Sequence, residues 1–386
     1  MSHVYVYRKP GLKEMRNRAY KFRIYPTDAQ EILLTKTFGC CRFVYNRMLD
    51  DKICEYKENG KMKRTTPAMY KKEFPWLKEV DSLALANVQL HLESAYKKFF
   101  REPKSGFPKF KSKHKSRQSY TTNVVNGNIR LLENRIKLPK LGEVKIKVHR
   151  KINEGFRLKS VTISRESTGK YFASLLYEST ECENQTICKK TEDMKILGID
   201  YAMDGMAVFS DGRKCEYPKF FRESSEKLAK EQRKLSHCRK GSRNYQKQKR
   251  KVALCHEKIR NQRKDYHHKF SHQIIQEYDA VSVEDLDMKA MSMCMHFGKS
   301  VMDNSYGIFR DMLAYKLREQ GKELIKIDRF FPSSKKCSVC GAVKKELKLS
   351  ERIYRCTCGS ELDRDVNAAI NIREEGRRIL MARGCA

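Results

Sequence analysis

Three carboxylates and four thiols are the residues of this chain most able to do chemistry. Asp200 closes the apolar run Ile196-Leu-Gly-Ile, Glu284 closes Ala280-Val-Ser-Val, and Asp365 opens the last helical stretch, which runs to Ala382. A carboxylate at the end of a buried strand is costly unless a cation compensates it, and a divalent metal is the usual compensation. Two Mg²⁺ ions held about 4 Å apart by such acids would stabilise the attacking water and the leaving 3′ oxygen of a phosphodiester. Any one of these acids alone reads equally well as a turn residue or a helix cap. The order Asp, Glu, Asp on strand, strand and helix is what points to a catalytic set. Asp363 competes for the third role; counted back from Asn367-Ala-Ala-Ile-Asn-Ile372, Asp365 lies at the helix start and Asp363 is the better N-cap.

Of the 14 cysteines, ten are scattered and only Cys337, Cys340, Cys356 and Cys358 sit close together. In a reducing compartment that pattern points to a metal rather than to disulfides. Cys337-Ser-Val-Cys340, then 15 residues, then Cys356-Thr-Cys358 has the form of a zinc ribbon, with a second knuckle one residue shorter than Cys-x-x-Cys. A closed four-thiolate site binds one zinc for folding rather than for catalysis. His267-His268 are adjacent on a helix and so point in different directions; they read as structural or as nucleic-acid contacts.

The elements that must position these groups follow from periodicity. Arg18 to Tyr25 alternates basic and apolar side chains and is stopped by Pro26, which predicts a strand. A helix is expected from Asp28, capped by Thr27 or Asp28, and a second from Ser82 to Phe100, where Leu85, Val88, Leu92, Ala95, Tyr96 and Phe99 share one face. Short strands resume over 119–177. Because the first strand precedes the helices and the rest follow, the helices read as an insertion into a small barrel. Glu181 to Asp193 reads as a linker. Beyond it, Ile196–Asp200, Met206–Phe209 and Lys214–Tyr217 predict a three-strand meander, followed by long basic helices over 222–277 broken near Gly241, the strand Ala280–Glu284, a helix over Ile308–Glu319 and the strand Glu323–Asp328. That order fits a ribonuclease-H-like α/β domain.

Composition says what surrounds this chemistry. The 386 residues carry 82 Lys+Arg against 47 Asp+Glu, a net charge of +35, with a pI near 9.7. Charge of this size calls for a polyanion. No run of 18 apolar residues appears and mean hydropathy is −0.73, which argues against a membrane span. The first residues, Met1-Ser-His-Val-Tyr-Val-Tyr-Arg, lack the order of a secretory signal, so a cytoplasmic protein is expected. A 40% apolar fraction over this length suggests two or three domains. The positive excess gathers in Arg101–Gln118, with seven Lys or Arg, and in Arg222–Lys269, which holds Arg239, Lys240 and Arg243. Acidic partners are too few there for helix pairing, so phosphate contact is the better reading. Lys109, Lys111, Lys113, Lys115 and Arg117 interleave with Phe107, Phe110 and Tyr120, a mixture suited to stacked bases along a phosphate backbone, although both phenylalanines also read as ordinary core.

Taken together, Tyr20-Lys-Phe-Arg-Ile-Tyr-Pro26, Phe38-Gly-Cys-Cys-Arg-Phe-Val-Tyr-Asn46, Gly106-Phe-Pro-Lys-Phe-Lys111, Gly198-Ile-Asp200, Val283-Glu-Asp-Leu286, Phe331-Pro-Ser-Ser-Lys335, the cysteine ribbon and Asp363-Arg-Asp-Val-Asn-Ala-Ala369 resemble the TnpB family. These are transposon-encoded proteins related to the miniature type V CRISPR nucleases. The resemblance runs along nearly the whole chain, in the family's order. It implies a multidomain α+β protein: a split β-barrel (wedge) over 1–26 and 101–185, an inserted helical recognition lobe over 27–100, and an RNase-H-like (RuvC) nuclease over 190–330 with a basic helical insertion at 218–277. A zinc ribbon at 331–361 and a final RuvC helix at 362–386 complete it. It further implies an Mg²⁺-dependent, RNA-guided DNA endonuclease; the sequence leaves the oligomeric state open, with a monomer favoured. In that reading a guide RNA from the transposon end pairs with target double-stranded DNA beside a short protein-read motif, and Asp200, Glu284 and Asp365 hold the metals. Within the family motifs Lys21, Arg23, Arg42, Tyr45 and Asn46 become candidate nucleic-acid contacts. Leu362 stands where many members have His. An RNase-H-like transposase performing strand transfer, and a zinc-dependent DNA-binding regulator, are the competing readings.

Overall fold

The computed structural model describes residues 16–62, 64–102, 104–152, 154–179, 191–203, 205–294, 298–348 and 350–383. The expected absence of a signal at 1–15 and the 181–190 part of the linker lie outside these residues; the linker's last residues, Thr191–Asp193, form a 3-10 turn. The chain divides into two compact units, Met1–Glu183 and Asn184–Ala386.

In the first unit, strand β1 (Arg16–Tyr25) is followed by helices α1 (Asp28–Asn59), α2 (Pro67–Glu73) and α3 (Ser82–Arg101). Strands β2 (Gln118–Asn123), β3 (Arg130–Leu131), β4 (Arg135–Leu138), β5 (Gly142–Lys147), β6 (Arg157–Arg165) and β7 (Tyr171–Ser179) come after them. The strands form one sheet in the order β2-β6-β7-β1-β5-β4-β3, antiparallel throughout, so β1 sits near its middle and the helices are an insertion between β1 and β2. The edge strands β2 and β3 are not paired with each other among the described residues, so the expected barrel is a sheet with two free edges rather than a ladder closed all round. Period two decides which face is buried: Tyr20, Phe22 and Ile24 of β1 and Tyr171, Ala173, Leu175 and Tyr177 of β7 share the core with α1 and α3, while Lys21 and Arg23 face out. Thr27 is the N-cap of α1. Its hydroxyl accepts from the Gln30 backbone N–H, and the Gln30 side chain accepts from the Thr27 N–H, a reciprocal capping box.

The second unit has strands β8 (Ile196–Ala202) and β9 (Met206–Phe209), helices α4 (Phe220–Ser236) and α5 (Arg243–Glu277), strand β10 (Ala280–Glu284) and helices α6 (Met288–Cys294), α7 (Gly298–Asn304) and α8 (Tyr306–Glu319). Strands β11 (Glu323–Ile327), β12 (Ile353–Arg355) and β13 (Glu361–Asp363) and helix α9 (Arg364–Ala382) close it. The main sheet runs β11-β10-β8-β9, with the first three strands parallel and β9 antiparallel. The third meander strand expected at Lys214–Tyr217 does not form. It is reduced to the bridge Val208–Lys214 and a Cys215 N–H to Ala207 O bond. Tyr217 is drawn to the helices instead, its hydroxyl donating to Asp303 O and its ring packing edge-on to Phe220 and Tyr266. Among the described residues no helix is long and apolar enough to cross a membrane.

The sheet's two faces bury different partners. Leu197, Ile199, Val281 and Val283 pack with Ile274 and Ile275 of α5 and Phe309, Leu313 and Leu317 of α8. The alternating positions Gly198 and Ser282 face α9. A Cβ at Gly198 would lie 2.0 Å from the Ala369 carbonyl oxygen, and one at Gly376 2.4 Å from Ser282 Oγ. Ser282 Oγ donates to Ile372 O at 2.8 Å. Helix and sheet therefore meet backbone to backbone, closer than any side chain allows. Gly198→Ala is expected to lower second-unit stability by about 3 kcal/mol, because the obstructing atom is backbone and cannot swing away. A urea midpoint equal to wild type would contradict this contact.

Candidate active site and metal centre

Parallel pairing puts Val283 opposite Ile199, so Glu284, one residue on, comes beside Asp200 on the face that α9 covers. Asp200 is not the last residue of its strand; β8 continues to Ala202, with Asp200 paired to Val208 of β9. Asp365 is in the first turn of α9, whose N-cap is Asp363: the Asp363 carboxylate accepts from the Asp365 and Val366 N–H groups at 3.0 and 3.2 Å and pairs with Lys214 Nζ at 2.7 Å. Asp363 is thus occupied as a cap. Burial first, then the charges of Glu284 and Asp365, push the Asp200 carboxyl well above the ordinary range; Arg364 opposes them. Burial also raises Glu284, opposed by the Ser333 hydroxyl, which donates to Glu284 Oε1 at 2.6 Å. The charges of Glu284 and Asp365 both act on the buried Asp200, a hard-oxygen setting of the kind a divalent cation compensates, although among the described residues the three carboxylates do not gather within 4.8 Å as the cysteine sulfurs do.

Two neighbours of the acids carry roles that sequence reasoning did not assign. Arg364 donates through Nε and Nη2 to Asp365 Oδ1, both at 3.2 Å, with its side chain largely buried. Ser333 fixes Glu284 from the segment that leads into the cysteine cluster. Both lie inside motifs quoted above, but nothing in their local spacing says what they touch.

The four cysteines converge. Their sulfur atoms all lie within 4.8 Å of one another, with Cys337 and Cys358 at 3.8 Å and Cys340 and Cys356 at 3.5 Å. Zn–S bonds of about 2.3 Å in a tetrahedron place sulfurs at this spacing, so the set fits a zinc ion. The shorter knuckle is accommodated by a tighter turn. Gly341 N–H reaches back to Cys337 O in the first knuckle, whereas Gly359 N–H reaches Cys356 O in the second, one residue fewer. Both glycines adopt positive φ, +78° and +86°. Hydrogen bonding by Ser360 holds the Cys358 thiol below its usual range. The cluster is tied to the acid site. Asn367 and Asn371, one turn apart on α9, donate to Lys336 O at 2.8 and 2.7 Å, and Asn371 also to Ser333 O. β13 runs straight into the Asp363 cap, pairing with β12 as a short hairpin.

The candidate nucleic-acid residues separate into groups. Arg239, Lys240 and Arg243 are exposed at the turn between α4 and α5. Lys109, Lys113 and Arg117 are exposed on the irregular segment between α3 and β2. Phe107 packs edge-on against Phe99 at 5.4 Å yet stays 44% exposed, and Phe110 is 55% exposed, so neither is ordinary core. Lys21 is bound by Glu166 at 2.8 Å, and Arg23 lies over the Tyr25 ring. Tyr45 and Asn46 turn inward to hold Lys111, and with Arg42 they come together in one place. His267 is wholly buried among Tyr217, Tyr266 and Phe309, and burial drives its pKa down to about 4, so it is a neutral core residue.

Three family models match the chain: "Probable transposase" over residues 179–295, "Cas12f1-like, TNB domain" over 306–372 and "Helix-turn-helix domain" over 15–61. In the last span the structure holds β1 and one continuous helix, α1, rather than two helices joined by a turn. Among known proteins the chain is 37% identical to a "Putative RNA-guided DNA endonuclease" of Streptomyces pristinaespiralis, over 93% of this chain and 89% of that one. It is 33% identical to the "Putative RNA-guided DNA endonuclease InsQ" of Escherichia coli K12, over 95% and 94%. A "TnpB-like protein" of Acanthamoeba polyphaga mimivirus is 32% identical over 29% of this chain. Among solved structures, the "Cas12f1-sgRNA-target DNA complex" matches with a TM-score of 0.58 at 13% identity, covering 93% of this chain and 99% of that one, a likeness of fold. With two relatives above 30% identity aligned along nearly their whole length, the chain belongs to the TnpB family.

Proposed function

We propose that this protein is an RNA-guided DNA endonuclease of transposon origin, and that Asp200, Glu284 and Asp365 form its nuclease site on a RuvC-type domain. The observation that carries the reading is that Glu284 and Asp200 lie on paired parallel strands and that the charge of Asp365, in the first turn of α9, reaches Asp200. Relatives named for RNA-guided DNA cleavage support the guided substrate, and the charge of +35 supports a long polyanionic partner. A pair of Mg²⁺ ions at the acids would supply Lewis-acid stabilisation of the phosphodiester oxygens. The chain's own groups orient that site: Ser333 fixes the Glu284 carboxylate, Arg364 fixes Asp365, and the Asp363 cap fixes the first turn of α9. Zinc at Cys337, Cys340, Cys356 and Cys358 holds the 331–361 segment, and through it the start of α9. In the first unit, the split sheet and its inserted helices serve as wedge and recognition lobe.

Plasmid cleavage by the full chain purified with its own RNA, in Mg²⁺, tests the reading. Wild type is expected to cut a plasmid matching the guide and Asp200→Ala to lose at least ~10³-fold in rate, since one acid of a shared metal site is removed. Cutting without RNA, or by the variant at the wild-type rate, contradicts it.

The raised Asp200 pKa gives a sign for stability. A carboxyl whose folded pKa exceeds its unfolded value contributes most below the unfolded value and loses that contribution as pH rises through the folded one. Without divalent ions at pH 7.5, Asp200→Asn should melt about 2–4 °C higher than wild type, the shift that ~1 kcal/mol produces in a unit of this size. The difference should shrink as pH falls toward 5. Equal melting at both pH values would contradict the crowding of the acids.

Elemental analysis of purified protein should find one zinc per chain. Cys358→Ser should bind less than half of that and melt at lower temperature. Full zinc content in that variant would remove Cys358 from the set.

A further inference from the structure

Within the first unit, Arg42 of α1 and Lys111 and Arg117 of the irregular segment after α3 surround a cavity of about 200 Å³. No carboxylate lines it. The buried Asp81, whose charge reaches the lining residues Cys41 and Tyr120, is occupied by the Leu83 N–H and the Thr122 hydroxyl. Among the described residues none of the three cations pairs with an acid. Lys111 is the unusual one. Its backbone exchanges two hydrogen bonds with the Asn46 side-chain amide, at 2.9 and 2.8 Å, and its ammonium sits 3.8 Å from the centroid of the Tyr45 ring. A half-buried ammonium with only a ring face for compensation has lost hydration without gaining a counter-ion, and burial lowers its pKa accordingly. An anion placed in the cavity restores what is missing.

The cavity also has the size and the donors of an anion seat. It is smaller than the roughly 300–1,000 Å³ of sites that take drug-sized ligands. Ser116, Gln118 and Ser119 line it beside the cations and carry hydroxyl and amide donors, while Phe38, Ala84 and Val88 close its apolar side. Such donors around Arg and Lys are the groups that position a nucleic acid by its phosphates without reading its sequence.

We propose that this cavity seats a single backbone phosphate of the bound nucleic acid, with Arg42, Lys111 and Arg117 as its ligands and with Tyr45 and Asn46 positioning Lys111. The proposal rests on the reading that the chain binds guide RNA and target DNA. It separates Lys111 from Lys109 and Lys113, which are exposed on the same segment and contribute diffuse charge.

The experiment compares salt dependence of binding for the full chain in two arms. One uses a labelled transcript of the RNA that copurifies with the protein; the other uses the assembled protein–RNA complex with a labelled matching DNA duplex. Lys111→Met is expected to reduce the slope of log Kd against log salt by about 0.7–0.9 in one arm, the value for one lost phosphate contact, with Lys111→Arg restoring it. The arm that responds tells whether the phosphate belongs to RNA or DNA. Lys57→Met, an exposed lysine near the end of α1, measures the effect of removing one charge elsewhere. If Lys111→Met does not fold, as judged by its melting curve, Arg42→Gln carries the same expectation. Slopes changed no more by these variants than by Lys57→Met in both arms would overturn the proposal. Failure of wild type to bind RNA at all would instead overturn the function proposed above.

Discussion

The second unit depends on one contact: the backbone of α9 lying against the backbone of β8 at Gly198. With hydrogen as the side chain, Gly198 leaves room for the Ala369 carbonyl, and Gly376 performs the same service opposite Ser282. The helix axis is thereby held at a separation that larger residues would not allow, and the position of its first turn follows from it. That turn carries Asp365. Had β8 been apolar throughout its α9-facing side, the helix would ride higher on the sheet, and its carboxylate would stand away from Asp200 and Glu284. Close packing here serves geometry as much as stability.

The acids sit in a chain that is otherwise overwhelmingly positive, and the contrast is instructive. Local burial and mutual repulsion raise Asp200 despite a net charge of +35, because repulsion at short range inside a poorly solvated site outweighs screened attraction from distant lysines. Arg364 is the exception, close enough to matter. The same reasoning run with the signs reversed applies to Lys111, a half-buried cation lacking an acid. Both places hold like charge that protein groups compensate only in part, Arg364 at the acids and the Tyr45 ring at Lys111, and both are where a charged partner has most to contribute.

Much of this was legible along the chain. Alternation predicted β1 and the short strands over 119–177 because a half-buried sheet imposes period two, as β4, β5 and β7 show; the α1 cap, Thr27 of the two candidates, followed from local hydrogen-bonding chemistry and α3 from its apolar face. Glu284 was legible because it closes a strand and Asp365 because it lies in a helix's first turn; Asp200 also read as a strand end, but β8 runs on to Ala202. The failures have physical causes. Lys214–Tyr217 alternates like a strand, but Tyr217 gains more from Asp303 and the aromatic cluster of α4 and α5 than from a ladder at the sheet edge. Ser333, Asn367 and Asn371 act through tertiary contacts, Ser333 lying 49 positions along the chain from Glu284. Asn46 and Lys111, 65 residues apart, read as two separate nucleic-acid contacts, whereas the fold makes one the clamp of the other.

The central claim is that a helix N-terminus and two paired strands form a single metal site. Mn²⁺ binding to the full chain, followed by electron paramagnetic resonance, tests it most directly, with Asp200→Asn, Glu284→Gln and Asp365→Asn compared to wild type. The account predicts that each variant loses the high-affinity binding seen in wild type, and that the double variant Asp200→Asn, Asp365→Asn is little worse than either single one, as groups acting as a unit behave. If Asp365→Asn kept wild-type stoichiometry and affinity, α9 would not contribute to the site and the account would be wrong.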